Sequence, residues 1–108
     1  MARVLSSQAA VAVPVIVLGE FRYGIGLSRH RRAYEKWLDE HLRHFHLLHV
    51  TAEVATVYAR VRLALRTSGR PIPANDAWIA AVALHHRMSI LSRDSHFDAV
   101  PDLTRQTW

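Results

Sequence analysis

Apolar positions along this chain change period several times, and each change marks an element. Val11-Ala12-Val13-Pro14 is a short apolar run stopped by proline, which predicts a buried strand turning into a helix. From Val15 to Ile25 the apolar residues recur at helical spacing, with Gly24 and Gly26 expected to end that helix. Arg29 to Phe45 is amphipathic. Tyr34, Trp37, Leu38 and Leu42 form one stripe, and Arg31, Arg32, Glu35, Lys36, Asp39 and Arg43 surround it. Phe45 to Val50 predicts a second strand. Thr51 then caps a helix carrying Val54, Val57, Tyr58, Val61 and Leu65, closed by Ser68-Gly69. Beyond two prolines, Asn75 is the expected cap of a helix to His86, with Asp76 in its first turn. Met88 to Leu91 is a continuous apolar run of the kind buried in parallel sheets, and Leu103 to Trp108 is a short edge strand.

Strands alternating with helices predict an α/β domain. The 108 residues suffice for one domain, read here as spanning 1–108 without linker, repeat or low-complexity segment. Half the residues are hydrophobic, which excludes a disordered chain, and the absence of cysteine excludes disulfide scaffolds and thiolate metal sites. No apolar run is long enough for a membrane span and no signal peptide is evident, so a cytoplasmic location without membrane partners is expected.

The formal charge is +5, carried almost wholly by arginine, since Lys36 is the only lysine. Guanidinium forks suit phosphate oxygens, so RNA is a natural partner; a GC-rich genome would produce the same bias.

Three carboxylates stand out against this apolar framework. Glu20 follows the first strand, Asp76 begins the helix leading into the third, and Asp94 follows that strand's end. In parallel α/β folds the residues just beyond strand C-termini gather at one sheet edge, where ligands bind. Acidic groups converging there call for a cation, and a hard divalent ion with oxygen ligands, Mg²⁺ or Mn²⁺, meets that need. Each acid also has an ordinary reading: an arginine partner for Glu20, a helix-dipole carboxylate at Asp76, a turn cap at Asp94. His41, His44, His46 and His49 straddle a helix end and a strand, so no shared zinc site is expected. Tyr23, Trp37, Tyr58 and Trp78 are expected in the core or a dimer contact rather than as base-stacking platforms. The basic start at Arg29, His30, Arg31 and Arg32 suits either RNA phosphate or solvent.

Three segments carry a resemblance: Val17-Leu18-Gly19-Glu20-Phe21-Arg22-Tyr23-Gly24, Pro73-Ala74-Asn75-Asp76-Ala77-Trp78-Ile79-Ala80-Ala81 and Leu91-Ser92-Arg93-Asp94-Ser95-His96-Phe97. The ending Val100-Pro101-Asp102-Leu103 with Trp108 adds a fourth. From Val11 onward the chain resembles the PIN-domain nucleases, and more narrowly the VapC-type ribonuclease toxins of bacterial toxin–antitoxin pairs. The resemblance implies a PIN-like three-layer α/β domain with a small parallel sheet flanked by helices. It further implies a Mg²⁺- or Mn²⁺-dependent endoribonuclease, a homodimer, and a cognate antitoxin as partner. On this pattern Glu20, Asp76 and Asp94 are the catalytic metal ligands, Asn75 and Ser92 orient them, and Asp98, one helical turn past Asp94, is a further candidate acid.

One family element is absent. Members begin with a central strand reading Leu-Asp-Thr, whose aspartate is the first metal ligand, whereas Met1 to Ala10 holds no acid and resembles the end of a helix. The first central strand is therefore expected to be missing, leaving its neighbours unpaired unless another chain or an upstream segment fills the gap. The alternative function is a catalytically inactive, truncated remnant that retains antitoxin or homodimer binding.

Overall fold

The computed structural model describes residues 4–6 and 11–107. Its five strands are β1 (Val4–Ser6), β2 (Val11–Pro14), β3 (His46–Leu48), β4 (Ser89–Leu91) and β5 (Arg105–Gln106), and its four α-helices are α1 (Val15–Leu27), α2 (Arg31–His41), α3 (Ala52–Thr67) and α4 (Ala74–His85). They form one sheet in the order β3-β2-β1-β4-β5, flanked by the helices, which is the expected α/β architecture.

The centre of the sheet departs from expectation. Val4–Ser6 is a strand, not a helix end, and lies between β2 and β4, antiparallel to both, with Leu5 opposite Ala12 on one side and Ile90 on the other. The rest of the Met1 to Ala10 stretch falls outside the described residues, as does Trp108. Chain length explains the direction of β1. Parallel neighbours need a crossover of about a dozen residues or more, and only four positions separate β1 from β2. Running antiparallel, this segment satisfies backbone groups that β2 and β4 would otherwise leave unpaired. The gap is thus filled from within the chain, but by a strand without an acid.

The outer pairs, β2 with β3 and β4 with β5, are parallel. Since β2 and β4 both oppose β1, all four outer strands point the same way. Their C-terminal ends share one edge.

The helices follow from their sequences, with three adjustments. Helix α1 runs through Gly24 and Gly26 and stops at Ser28, whose N–H donates to the Ile25 carbonyl at 3.0 Å. Two glycines cost roughly 1 kcal/mol each in a helix interior, but α1 is held by packing on α2 and α4. Helix α2 ends at His41, and residues 42–44 tighten into a 3₁₀ turn. The cap of α4 is Pro73 rather than Asn75, so Asn75 lies inside the first turn. Thr51 caps α3 as expected, its Oγ1 accepting from the Val54 N–H at 3.3 Å. Gly69 leaves that helix at φ 70°, a left-handed conformation natural to glycine.

Helix α4 is the buried centre of the molecule. Asp76, Ala77 and every residue from Ile79 to Ala83 are buried, because the alanines let α4 approach its neighbours closely. It packs against α3 through the Tyr58 and Trp78 rings, stacked with centroids 3.7 Å apart. Val54, Val57, Val61, Ile79, Val82, Ile90 and Phe97 belong to one contiguous apolar core. Tyr58 and Trp78 pack against this core as expected. Tyr23 and Trp37 do not: they are 71% and 45% exposed.

Candidate active site

Helix α4 joins β4 through a turn of three residues, Arg87 taking φ 55° and the Met88 N–H returning to the Ala83 carbonyl at 2.9 Å. A helix so tightly joined to the start of a strand must begin near the strand's far end. The first turn of α4 therefore meets the segment leaving β4, and Asp76 meets Asp94.

Asp76 is only 2% exposed. It lies in the first turn of α4, and a carboxylate so deep needs a cation or donors in contact. Asp94 stands at the start of a 3₁₀ turn, Ser95–Ala99, where its Oδ1 accepts the His96 N–H at 2.9 Å. The buried Ser92 hydroxyl accepts the Asp94 N–H at 3.0 Å and fixes that backbone. The His96 ring reaches both acids, with Nδ1 3.1 Å from Asp94 Oδ1 and 3.4 Å from Asp76 Oδ2. One donor atom from each of Asp76, Asp94 and His96 lies within 4.8 Å of the others.

These residues fit a divalent ion. Two carboxylates brought together in a partly dehydrated site repel one another, and a shared cation relieves that repulsion while filling their lone pairs. Among the described residues no other cluster of His, Cys, Asp or Glu has donor spacing suited to a metal.

The remaining candidates are placed differently. Glu20 is half-buried on α1 and outside this group; it borders a groove of about 800 Å³ between α1 and α2, lined also by Phe21, Ile25, Tyr34 and Trp37. Asn75 is exposed beside Asp76. Asp98 is gripped by Arg105, whose Nε and Nη2 donate to its two oxygens at 2.7 and 2.9 Å. Those hydrogen bonds hold the Asp98 carboxyl below its ordinary range. Asp98 is thus a structural anion, and the same guanidinium donates through Nη1 to the Ser92 carbonyl at 3.1 Å.

His96 is the member of the cluster that sequence reasoning passed over. Its signal was proximity: it follows Asp94 by two residues and precedes Phe97, which is fully buried and anchors the turn.

Comparison with known proteins agrees with this architecture. The PIN domain pattern matches residues 1–103. Ribonuclease VapC4 of Mycobacterium tuberculosis is 32% identical over 93 residues, covering 84% of this chain and 72% of that protein. Ribonuclease VapC5 of the same organism is 34% identical over 92 residues, covering 83% and 68%. Among solved structures, the VapBC2 complex of Rickettsia felis bound to a promoter DNA fragment superposes with a TM-score of 0.83 at 26% identity, covering 90% of this chain and 74% of that one. VapBC-5 of Mycobacterium tuberculosis, a toxin–antitoxin complex, gives 0.74 at 30% identity, covering 89% and 79%. In sequence pattern, relatives and fold alike, this chain belongs to the PIN-domain family and is of the VapC type.

Proposed function

We propose that this chain is the ribonuclease toxin of a toxin–antitoxin pair and hydrolyses RNA phosphodiester bonds with a divalent ion, Mg²⁺ or Mn²⁺. The observation that carries the reading is the meeting of buried Asp76 with Asp94 at the C-terminal edge of the outer strands, in a chain of VapC type. When bound, the ion lowers the pKa of a water and offsets charge on the scissile phosphate.

The chain's own groups supply the rest. Asp76 and Asp94 hold the ion, Ser92 keeps the Asp94 backbone in register, and Asn75 flanks Asp76. Glu20, on the α1 helix that packs against α4, completes the acid set in this reading. The arginine-rich surface attracts RNA phosphates without reading sequence. Relatives that are VapBC complexes support a protein antitoxin as partner. Exposed Tyr23, Leu27 and Trp37 on α1 and α2 support a protein contact, a second copy of the chain included.

A second reading is favoured by β1, the central strand, which carries no acid. In that reading the chain binds its partner but does not cleave. The purified full chain decides between them when incubated with RNA and Mg²⁺ or Mn²⁺. Cleavage that excess EDTA stops and Asp76→Asn reduces more than about 100-fold supports the enzyme, since even residues behind the ligands are worth 10–100-fold. Undiminished cleavage in EDTA removes the metal mechanism. Intact RNA together with antitoxin binding selects the second reading.

A further inference from the structure

We propose that His96 Nδ1 is itself a ligand of the ion held by Asp76 and Asp94, so that the site is a mixed oxygen–nitrogen set favouring Mn²⁺ over Mg²⁺. This rests on the metal-site reading above and deepens it.

The geometry comes first. Nδ1 stands 3.1 Å from one carboxylate oxygen and 3.4 Å from the other. In an octahedron with bonds of about 2.1 Å, neighbouring ligands are about 3.0 Å apart. The two separations from Nδ1 are close to that edge, and the three residues' donor atoms all lie within 4.8 Å of one another, so closure around an ion would bring them into range.

Preorganisation comes second. The backbone N–H of His96 already binds the Asp94 carboxylate at 2.9 Å, and Phe97 beside it is fully buried. The backbone that carries the imidazole is therefore tethered to the carboxylate it would share an ion with, while the ring itself stays half exposed and open to an incoming ion.

The need for a donor comes third. The described central strand, Val4–Ser6, carries no acid and so adds no carboxylate to Asp76 and Asp94. Among the described residues, His96 is the group that shares metal-ligand spacing with Asp76 and Asp94. Magnesium demands oxygen donors and dehydrates reluctantly, whereas first-row transition ions accept imidazole. An imidazole in the ligand set should therefore shift the preference toward manganese.

Pulsed electron paramagnetic resonance of Mn²⁺ added to the purified full chain tests this directly. The expected spectrum shows ¹⁴N coupling from a bound imidazole. That coupling disappears in His96→Ala, and Mn²⁺ affinity measured by calorimetry falls about tenfold or more. Circular dichroism checks that the variant is folded, and His96→Gln serves in its place if it is not. Mn²⁺ bound without ¹⁴N coupling, or coupling and affinity unchanged in the variant, overturns the role of His96 while leaving a carboxylate site intact. Failure of the native chain to bind Mn²⁺ at all overturns both the ligand assignment and the metal-site reading beneath it.

Discussion

Arg105 on β5 holds both carboxylate oxygens of Asp98 while donating to the Ser92 carbonyl, so one guanidinium ties the edge strand to both ends of the segment that carries Asp94. The polypeptide around the candidate site is therefore clamped by a pair that lies outside the Asp76, Asp94 and His96 cluster.

This clamp has a pH signature. Hydrogen bonds from Arg105 hold the Asp98 carboxyl below its ordinary value, so the stabilisation is complete above the unfolded carboxylate value near pH 4 and is lost as pH falls through the lower folded value. Asp98→Asn should lower the melting temperature measurably at pH 6. The difference from the native chain should close as the pH is taken below about 4. Thermal melts across that range check it, and a gap that persists at low pH would sink the assignment.

Phe97 is fully buried next to His96. Phe97→Ala should cost about 3–5 kcal/mol, the range for deleting a buried aromatic side chain. It should also loosen the turn that seats Asp94 and His96. Urea unfolding gives the first quantity and hydrogen exchange at residues 94–99 the second.

The internal position of β1 predicts sensitivity to proline. Leu5→Pro removes a backbone donor from a strand paired on both sides and should destabilise the sheet strongly, by about 3 kcal/mol or more. The comparison is a denaturation curve for native and variant chains. An unchanged midpoint would mean that β1 contributes nothing to the sheet.

Thr51→Ala should cost about 1 kcal/mol through loss of the α3 cap, with no effect on Mn²⁺ binding because α3 does not contribute to the acid cluster. A combined urea and calorimetric measurement separates the two.

Most of the architecture was legible in the sequence, because hydrophobic period reports directly on which face of an element is buried. The runs at Val11 to Pro14 and Met88 to Leu91 read as strands, and Val54, Val57, Val61 and Leu65 read as one helical face; the structure agrees. The glycines of α1 and the capping of α4 were misread for one reason. Local propensity is worth about 1 kcal/mol or less per residue, and packing on α2, α3 and β4 outweighs it. The meeting of Asp76 and Asp94 could be anticipated from topology, since a helix feeding a strand begins near that strand's end. Two features required the tertiary structure. Whether β1 joins the sheet, and in which direction, depends on the unpaired edges of β2 and β4, which no local pattern within Val4 to Ser6 encodes. The orientation of the His96 ring toward both carboxylates is set by the 3₁₀ turn, by burial of Phe97 and by the Arg105 clamp from β5. The sequence by itself determined the periodic elements and the acids at their ends. The central strand's direction and the third donor were decided by contacts between residues distant along the chain, where pairing and burial rather than local preference carry the energy.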